Sequence, residues 1–219
     1  MSTAATLNAE APHKLMKVYA EALEALRGHD LEERCQAAGF PWDPVAIKLS
    51  LMGQGFVFSV PDFCLTVEAR DRDTTVAGAD SERLTDRILL LHYLARASGS
   101  PLSGRRVGFD QLAGGRYYGG NFHNRAELPL AKLFSKAPDR LLAVASGLDG
   151  KIASYGDVSI EIAPFPRVPM IFILWTGDDE MPANGKVLFD DTVEGYLSTE
   201  DMAVLGDTVI RRMKELIAI

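Results

Sequence analysis

Between Arg105 and Arg125 the chain reads RRVGFDQLAGGRYYGGNFHNR, four arginines against one carboxylate, Asp110. Arginine presents a planar fork of N–H donors that matches carboxylate or phosphate. The pairs Gly114-Gly115 and Gly119-Gly120 carry no side chains, so backbone N–H groups there can approach a ligand closely. Tyr117, Tyr118 and Phe122 add flat faces, and Asn121 and His123 add hydrogen-bonding groups. These residue types describe a pocket for an anionic, partly planar small molecule, with Arg116 and Arg125 on its charged groups. They equally describe an ordered loop whose arginines pair with the protein's own carboxylates. The glycine spacing is neither a P-loop nor a G-x-G-x-x-G after a strand, so it does not choose between the two.

A second group lies in WTGDDE, residues 175–180, where Trp175 ends an apolar run and Asp178, Asp179 and Glu180 follow. With Asp190, Asp191 and Glu194 these carboxylates suit a hard cation, or a general acid–base pair if one is desolvated. The ligand order of an EF-hand is absent, and a turn that supplies counter-charge to the arginines accounts for the same residues. Trp175, at a strand end, is either a stacking face for a ligand or a rim tryptophan. His92 and His123 are candidate metal ligands, including the axial position of a tetrapyrrole iron or cobalt. No HExxH accompanies them, and His92 sits near an apolar stripe, where a hydrogen-bonded core histidine is a commoner outcome than a ligand. Cys35 and Cys64 have no metal-ligand spacing and read as small apolar residues. There is no GxSxG and no sign of a nucleophile with its base.

The elements that must position these groups are legible from period and punctuation. Residues 1–11 read as a flexible tail, and 12–219 as a single domain. Leu15, Tyr19, Ala22, Leu23 and Leu26 have helical spacing up to Gly28, and a short helix from Leu31 to Ala38 stops at Gly39. Three strands follow, 46–51, 55–60 and 63–70, separated by MGQG and PD turns, which predicts an antiparallel meander. A helix over 81–97 carries Leu84, Ile88, Leu91 and Ala95 on one stripe, with Ser81 as its cap. Residues 104–125 read as an ordered loop. Helical spacing returns over 128–148 with a break near Pro138, then strands over 158–163 and 170–175 joined by a stiff Pro164–Pro169 connection. A short strand over 186–189 precedes a capping box, Ser198 with Asp201, and a final helix bearing Met202, Leu205, Val209, Met213 and Leu216. Strands and helices cluster rather than alternate, which predicts an α+β fold with a mainly antiparallel sheet packed by helices.

Seven motifs in order, Leu89-Leu-Leu-His-Tyr-Leu94, Gly114-Gly-Arg-Tyr-Tyr118, Phe122-His-Asn-Arg125, Phe165-Pro-Arg-Val-Pro169, Leu174-Trp-Thr-Gly-Asp-Asp-Glu180, Leu188-Phe-Asp190 and Tyr196-Leu-Ser-Thr-Glu-Asp201, carry a resemblance. From about Tyr19 onward the chain resembles the domain-of-unknown-function family DUF3786, found largely in anaerobic bacteria and archaea. Met181 stands where that pattern has Phe or a similar residue. The resemblance implies redox or corrinoid-linked anaerobic metabolism, since relatives often carry a cysteine-rich iron–sulfur segment ahead of this domain. Two isolated cysteines cannot supply the four thiolates of a usual cluster, so an iron–sulfur role falls to a partner protein.

With a net charge of -7 the chain is an unfavourable partner for nucleic acid or an anionic membrane surface. No apolar run reaches the length of a membrane span, and the N-terminus lacks the apolar core of a signal peptide; a reducing cytoplasm is the expected compartment. Three functions stay open. The first is a small-molecule-binding or accessory protein with His92, Arg116, Tyr117, Tyr118, Asn121, His123, Arg125, Trp175, Asp178 and Glu180 around an anionic planar ligand, for which a corrinoid or haem is a candidate cofactor. The second is a metal-assisted hydrolase or transferase using Asp178 and Glu180 with His123. The third is a docking module for an iron–sulfur or corrinoid enzyme.

Overall fold

Two antiparallel sheets, of three and five strands, and the helices packed on them make this an α+β protein. The computed structural model describes residues 3–68 and 80–218, with side chains over 13–68 and 84–218. The chain divides into two compact units, residues 1–99 and 100–219.

In the first unit, α1 spans Thr3–Arg27. It starts well before Pro12, so the tail expected over residues 1–11 is helical in its backbone from Thr3. α2, Leu31–Ala38, begins where the Asp30 carboxylate accepts from the Glu32 and Glu33 N–H groups. It ends at Gly39, whose φ of 78° suits a residue without Cβ. β1 (Ala46–Leu51), β2 (Gln54–Ser59) and β3 (Cys64–Val67) form the expected meander. The predicted extension of β3 through Arg70 reaches beyond the described residues. α3, Asp80–Arg96, buries Leu84, Ile88 and Leu91; the Ser81 side chain, expected as its cap, lies outside the described residues. The Tyr93 hydroxyl donates to the Ala38 carbonyl at 2.7 Å, fixing α3 to the end of α2.

The second unit is built on a five-stranded sheet in the order β4-β8-β7-β6-β5. Its strands are β4 (Arg106–Gly108), β5 (Lys151–Ala153), β6 (Val158–Phe165), β7 (Val168–Trp175) and β8 (Asn184–Asp190). β4 and β5 are too short to announce themselves by alternation, and neither is predicted. The stiff 164–169 connection is instead the tip of a hairpin in which Phe165 pairs with Val168. The register shifts between Ile162 and Phe165, where Pro164 has no N–H to give the ladder. Ile160, Phe172 and Val187 line up across the strands, as do Ile162, Met170, Phe189 and Val107. That face meets α5 (Leu128–Phe134) and α6 (Asp139–Gly147), and α7 (Thr199–Ile217) packs on those two helices. β7 is buried from Val168 to Leu174 on both faces, which is why it reads as an unbroken apolar run. The Ser198 capping box opens α7, whose Met202, Leu205, Val209 and Met213 are buried.

A buried aspartate ties β8 to the start of the arginine-rich segment. Asp190, 1% exposed, accepts from the backbone N–H groups of Ser103 and Gly104 and from the Thr192 hydroxyl. Burial alone would raise its pKa, but the Thr192, Ser103 and Gly104 hydrogen bonds outweigh it and lower the carboxyl to about 2.

Candidate functional site

The segment 104–125, expected as a loop, is mostly regular. After β4 comes a 3-10 turn, Phe109–Gln111, then α4, Gly115–Phe122, running straight into a π-turn, His123–Glu127. Three glycines in eight residues argue against a helix on propensity, and packing overrides them. Phe122 stacks on Phe109 with ring centroids 4.1 Å apart and planes 3° from parallel, and both rings meet Phe189 of β8. Gly115 is indispensable there: a Cβ on it would stand 1.8 Å from the Phe109 carbonyl oxygen. Gly114, at φ 74°, turns the chain into the helix.

The approach to α4 is held at nearly every polar group. The Gln111 side chain accepts from the Gly108 N–H at 2.8 Å, and the Leu112 N–H donates to the Phe109 carbonyl. Ala113 is gripped on both sides, its N–H by the Glu194 carboxylate at 2.7 Å and its carbonyl by the Thr199 hydroxyl at 2.6 Å. Around this fixed turn lies an open concavity of about 470 Å³ lined by Asp110, Gln111, Leu112, Gly114 and Arg116. The other arginines of the segment are taken. Arg105 pairs with Asp191, Arg106 with Glu161 at 3.1 Å and Asp190 at 3.6 Å, and Arg125 with Asp207 at 3.0 Å. Arg116 makes no ion pair with a described residue, and its charge reaches Asp110 through space.

Two turns further on, the π-turn gathers a second set of charges. Glu127, 6% exposed, receives His123 Nδ1 on Oε2 at 3.1 Å and Lys186 Nζ on Oε1 at 3.2 Å. The Val187 N–H donates to the same Oε1 at 3.3 Å. Lys186 also reaches Asp110 Oδ1 at 3.3 Å, so the chain runs His123, Glu127, Lys186, Asp110 back to the concavity. Burial works to lower the Lys186 pKa, but Glu127 and Asp110 outweigh it and hold it raised. The Lys186 hydrogen bond lowers Asp110 in turn. π-turns inside helices recur at functional sites. Here the wider turn coincides with a carboxylate buried over β8, where Gly185 leaves room: a Cβ on it would stand 2.4 Å from the Glu127 carbonyl oxygen.

A family model described as a domain of unknown function, DUF3786, matches residues 30–212. The chain belongs to that family. No curated protein and no solved structure matches it.

In this DUF3786 domain the residues singled out from the sequence go to several places. Helical spacing puts Arg116, Gly120 and His123 on one flank of α4 with Gly119 beside them. Tyr117 and Asn121 stand on another flank, and Tyr117 is 92% exposed. Tyr118 donates to Glu200 of α7 at 3.0 Å, which raises its pKa. Arg125 is committed to Asp207 of the same helix. Trp175 ends β7, with its ring beside Gly156. Asp178 caps its own turn, accepting from the Met181 and Glu180 N–H groups, and its pKa is lowered by them. Glu180 is exposed in that turn. Among the described residues no hydrogen bond or ion pair joins Asp178 or Glu180 to Arg116 or Arg125, and no group of three or more His, Cys, Asp or Glu side chains is placed to hold a metal. His92 lies half-buried on α3 of the first unit. Glu127, Lys186 and Asp110 are not among the site residues expected from the sequence. The four-residue step from His123 to Glu127 was the available signal, visible only if the segment is read as helix.

Proposed function

We propose that this protein binds a small anionic molecule in the concavity at the start of α4, with Arg116 as the counter-charge. One observation carries the reading: Arg105, Arg106 and Arg125 are paired with carboxylates, whereas Arg116 borders an open concavity of about 470 Å³ with no carboxylate of the described residues paired to it. The turn beneath is already held by Gln111, Glu194 and Thr199, so little ordering cost accompanies binding. No side chain caps the N-terminus of α4, whose partial positive charge adds to the guanidinium.

This is the small-molecule-binding reading with a narrower site. Tyr117, Asn121 and Trp175 leave the ligand's surroundings, and Asp110, paired with Lys186, enters them. A planar tetrapyrrole is less well served than a compact carboxylate or phosphate, because no aromatic side chain lines the concavity. The acidic turn is the weaker seat for a metal-assisted hydrolase or transferase, since Asp178 spends its carboxylate on backbone N–H groups.

The test is a thermal-shift and calorimetric series with orthophosphate, citrate, succinate and adenosine monophosphate. Saturable stabilisation by at least one anion, reaching about 3 kcal/mol at a hundred times its dissociation constant, and its loss in Arg116→Gln, support the proposal. A wild-type protein indifferent to all four, or a response that survives Arg116→Gln, overturns it.

A further inference from the structure

The His123–Glu127–Lys186 cluster has a chemical consequence beyond binding. Glu127 Oε1 is occupied by two donors, the Lys186 ammonium and the Val187 N–H, while Oε2 faces His123 Nδ1. A carboxylate between an ammonium and an imidazole accepts from both, which places the imidazole proton on Nδ1. Nε2 is then left with its lone pair free, on a side chain 46% exposed. Between His123 and Arg116 the flank of α4 is bare: a Cβ on Gly119 or on Gly120 would find nothing within 4 Å. The seven-residue step along a helix corresponds to about 10 Å, so one extended small molecule can span both side chains.

We propose that the second unit carries a proton-transfer site in which His123 Nε2 is the base, Glu127 its positioning residue, and Arg116 the anchor for an anionic substrate. The substrate class is a carboxylate or phosphate with a reacting O–H or C–H group, or an attacking water, at the His123 end. In the step, the substrate's X–H bond breaks, its proton passes to Nε2 and the electron pair stays on X. The imidazolium so formed is stabilised by Oε2 of the Glu127 carboxylate, whose other oxygen is held by Lys186. Oriented imidazole–carboxylate pairs of this kind serve as general bases. The proposal rests on the anion reading of Arg116, but the state of His123 is read with no ligand present, so the two fail separately.

The experiment begins with the tautomer of His123, from long-range ¹H–¹⁵N correlation of the imidazole in the whole protein. The expected signature is protonated Nδ1 and unprotonated Nε2, the minority form of a free neutral histidine. In Glu127→Gln, Lys186 and Val187 still require an acceptor and take the amide oxygen, so the amide NH₂ faces His123 and the signature inverts. A purely structural role for Glu127 has no reason to move it. The second measurement follows nitrophenolate release from 4-nitrophenyl succinate, an anion, against neutral 4-nitrophenyl acetate. Nε2 takes a proton from water as the water oxygen bonds to the acyl carbon, the bond from that carbon to the nitrophenyl oxygen breaks, the acid and nitrophenolate leave, and the imidazolium returns its proton to solvent. A preference of about tenfold or more for the anionic ester, lost in Arg116→Gln, with release from both esters falling to the buffer rate in His123→Gln, supports the proposal. An Nε2–H tautomer in the wild type, or release unaffected by His123→Gln, overturns it.

Discussion

Three glycines of one short helix have opposite predicted fates, and the difference comes from what surrounds each Cβ position. Gly119 and Gly120 sit inside α4 with ordinary helical backbone, and a methyl group on either meets open space. Replacing either by alanine removes the entropic penalty of glycine in a helix, about 1 kcal/mol each. No contact is lost and none is strained, so Gly119→Ala and Gly120→Ala should each raise the melting temperature by about 2–4 °C. The double variant should shift the urea midpoint upward with an unchanged slope. Gly115→Ala has no such freedom, because its Cβ would stand 1.8 Å from a backbone carbonyl that cannot rotate aside. Separating them breaks the Phe109–Phe122 stack and should cost about 3 kcal/mol. Urea unfolding monitored by circular dichroism distinguishes these outcomes. Destabilisation by Gly119→Ala or Gly120→Ala, or tolerance of Gly115→Ala, would refute this account of the helix. The same pair tests the proton-transfer site independently of stability: two methyl groups on the bare flank should slow release from the anionic ester while the protein becomes more stable.

Asp190 and Cys35 give two further tests. Asp190 has a native pKa of about 2, below the ordinary value near 4 of an unfolded chain. Its contribution to stability is therefore present in full above about pH 4 and lost as the pH falls through about 2, and it amounts to about 2 kcal/mol. Asp190→Asn should lower stability at pH 7 by that order and flatten the fall in urea midpoint below pH 4; an unchanged acid limb would count against the hydrogen-bond account. Cys35 is fully buried, and its thiol is pushed up to about 11. At pH 8 about one part in a thousand is thiolate, so iodoacetamide should label half-buried Cys64 well before Cys35 in the native protein, and mass spectrometry finding the reverse order would contradict the burial.

Much of the fold was legible because it rests on local chemistry. The Ala46–Leu51 strand, the Leu31–Ala38 helix with Asp30 before it and Gly39 after it, and the Ser198–Asp201 capping box each announce themselves within a few residues. Period and punctuation are properties of neighbours in the chain, and a sequence displays them directly. The α+β class and the unbroken apolar run of β7 were available in the same way.

What the tertiary structure decided is α4 and everything that hangs on it. GRYYGGNF has the composition of a loop and becomes a helix because Phe122 finds Phe109 and Phe189 across the unit. Once helical, the segment turns Arg116 and His123 to one flank and sends Tyr118 and Arg125 to α7. Glu127 meets Lys186 and Val187 across a separation of some sixty residues in the chain. No period in a sequence encodes such a meeting. Residue types alone told which groups were capable of chemistry; only long-range packing decided which arginine of the segment faces the concavity and which carboxylate holds the histidine.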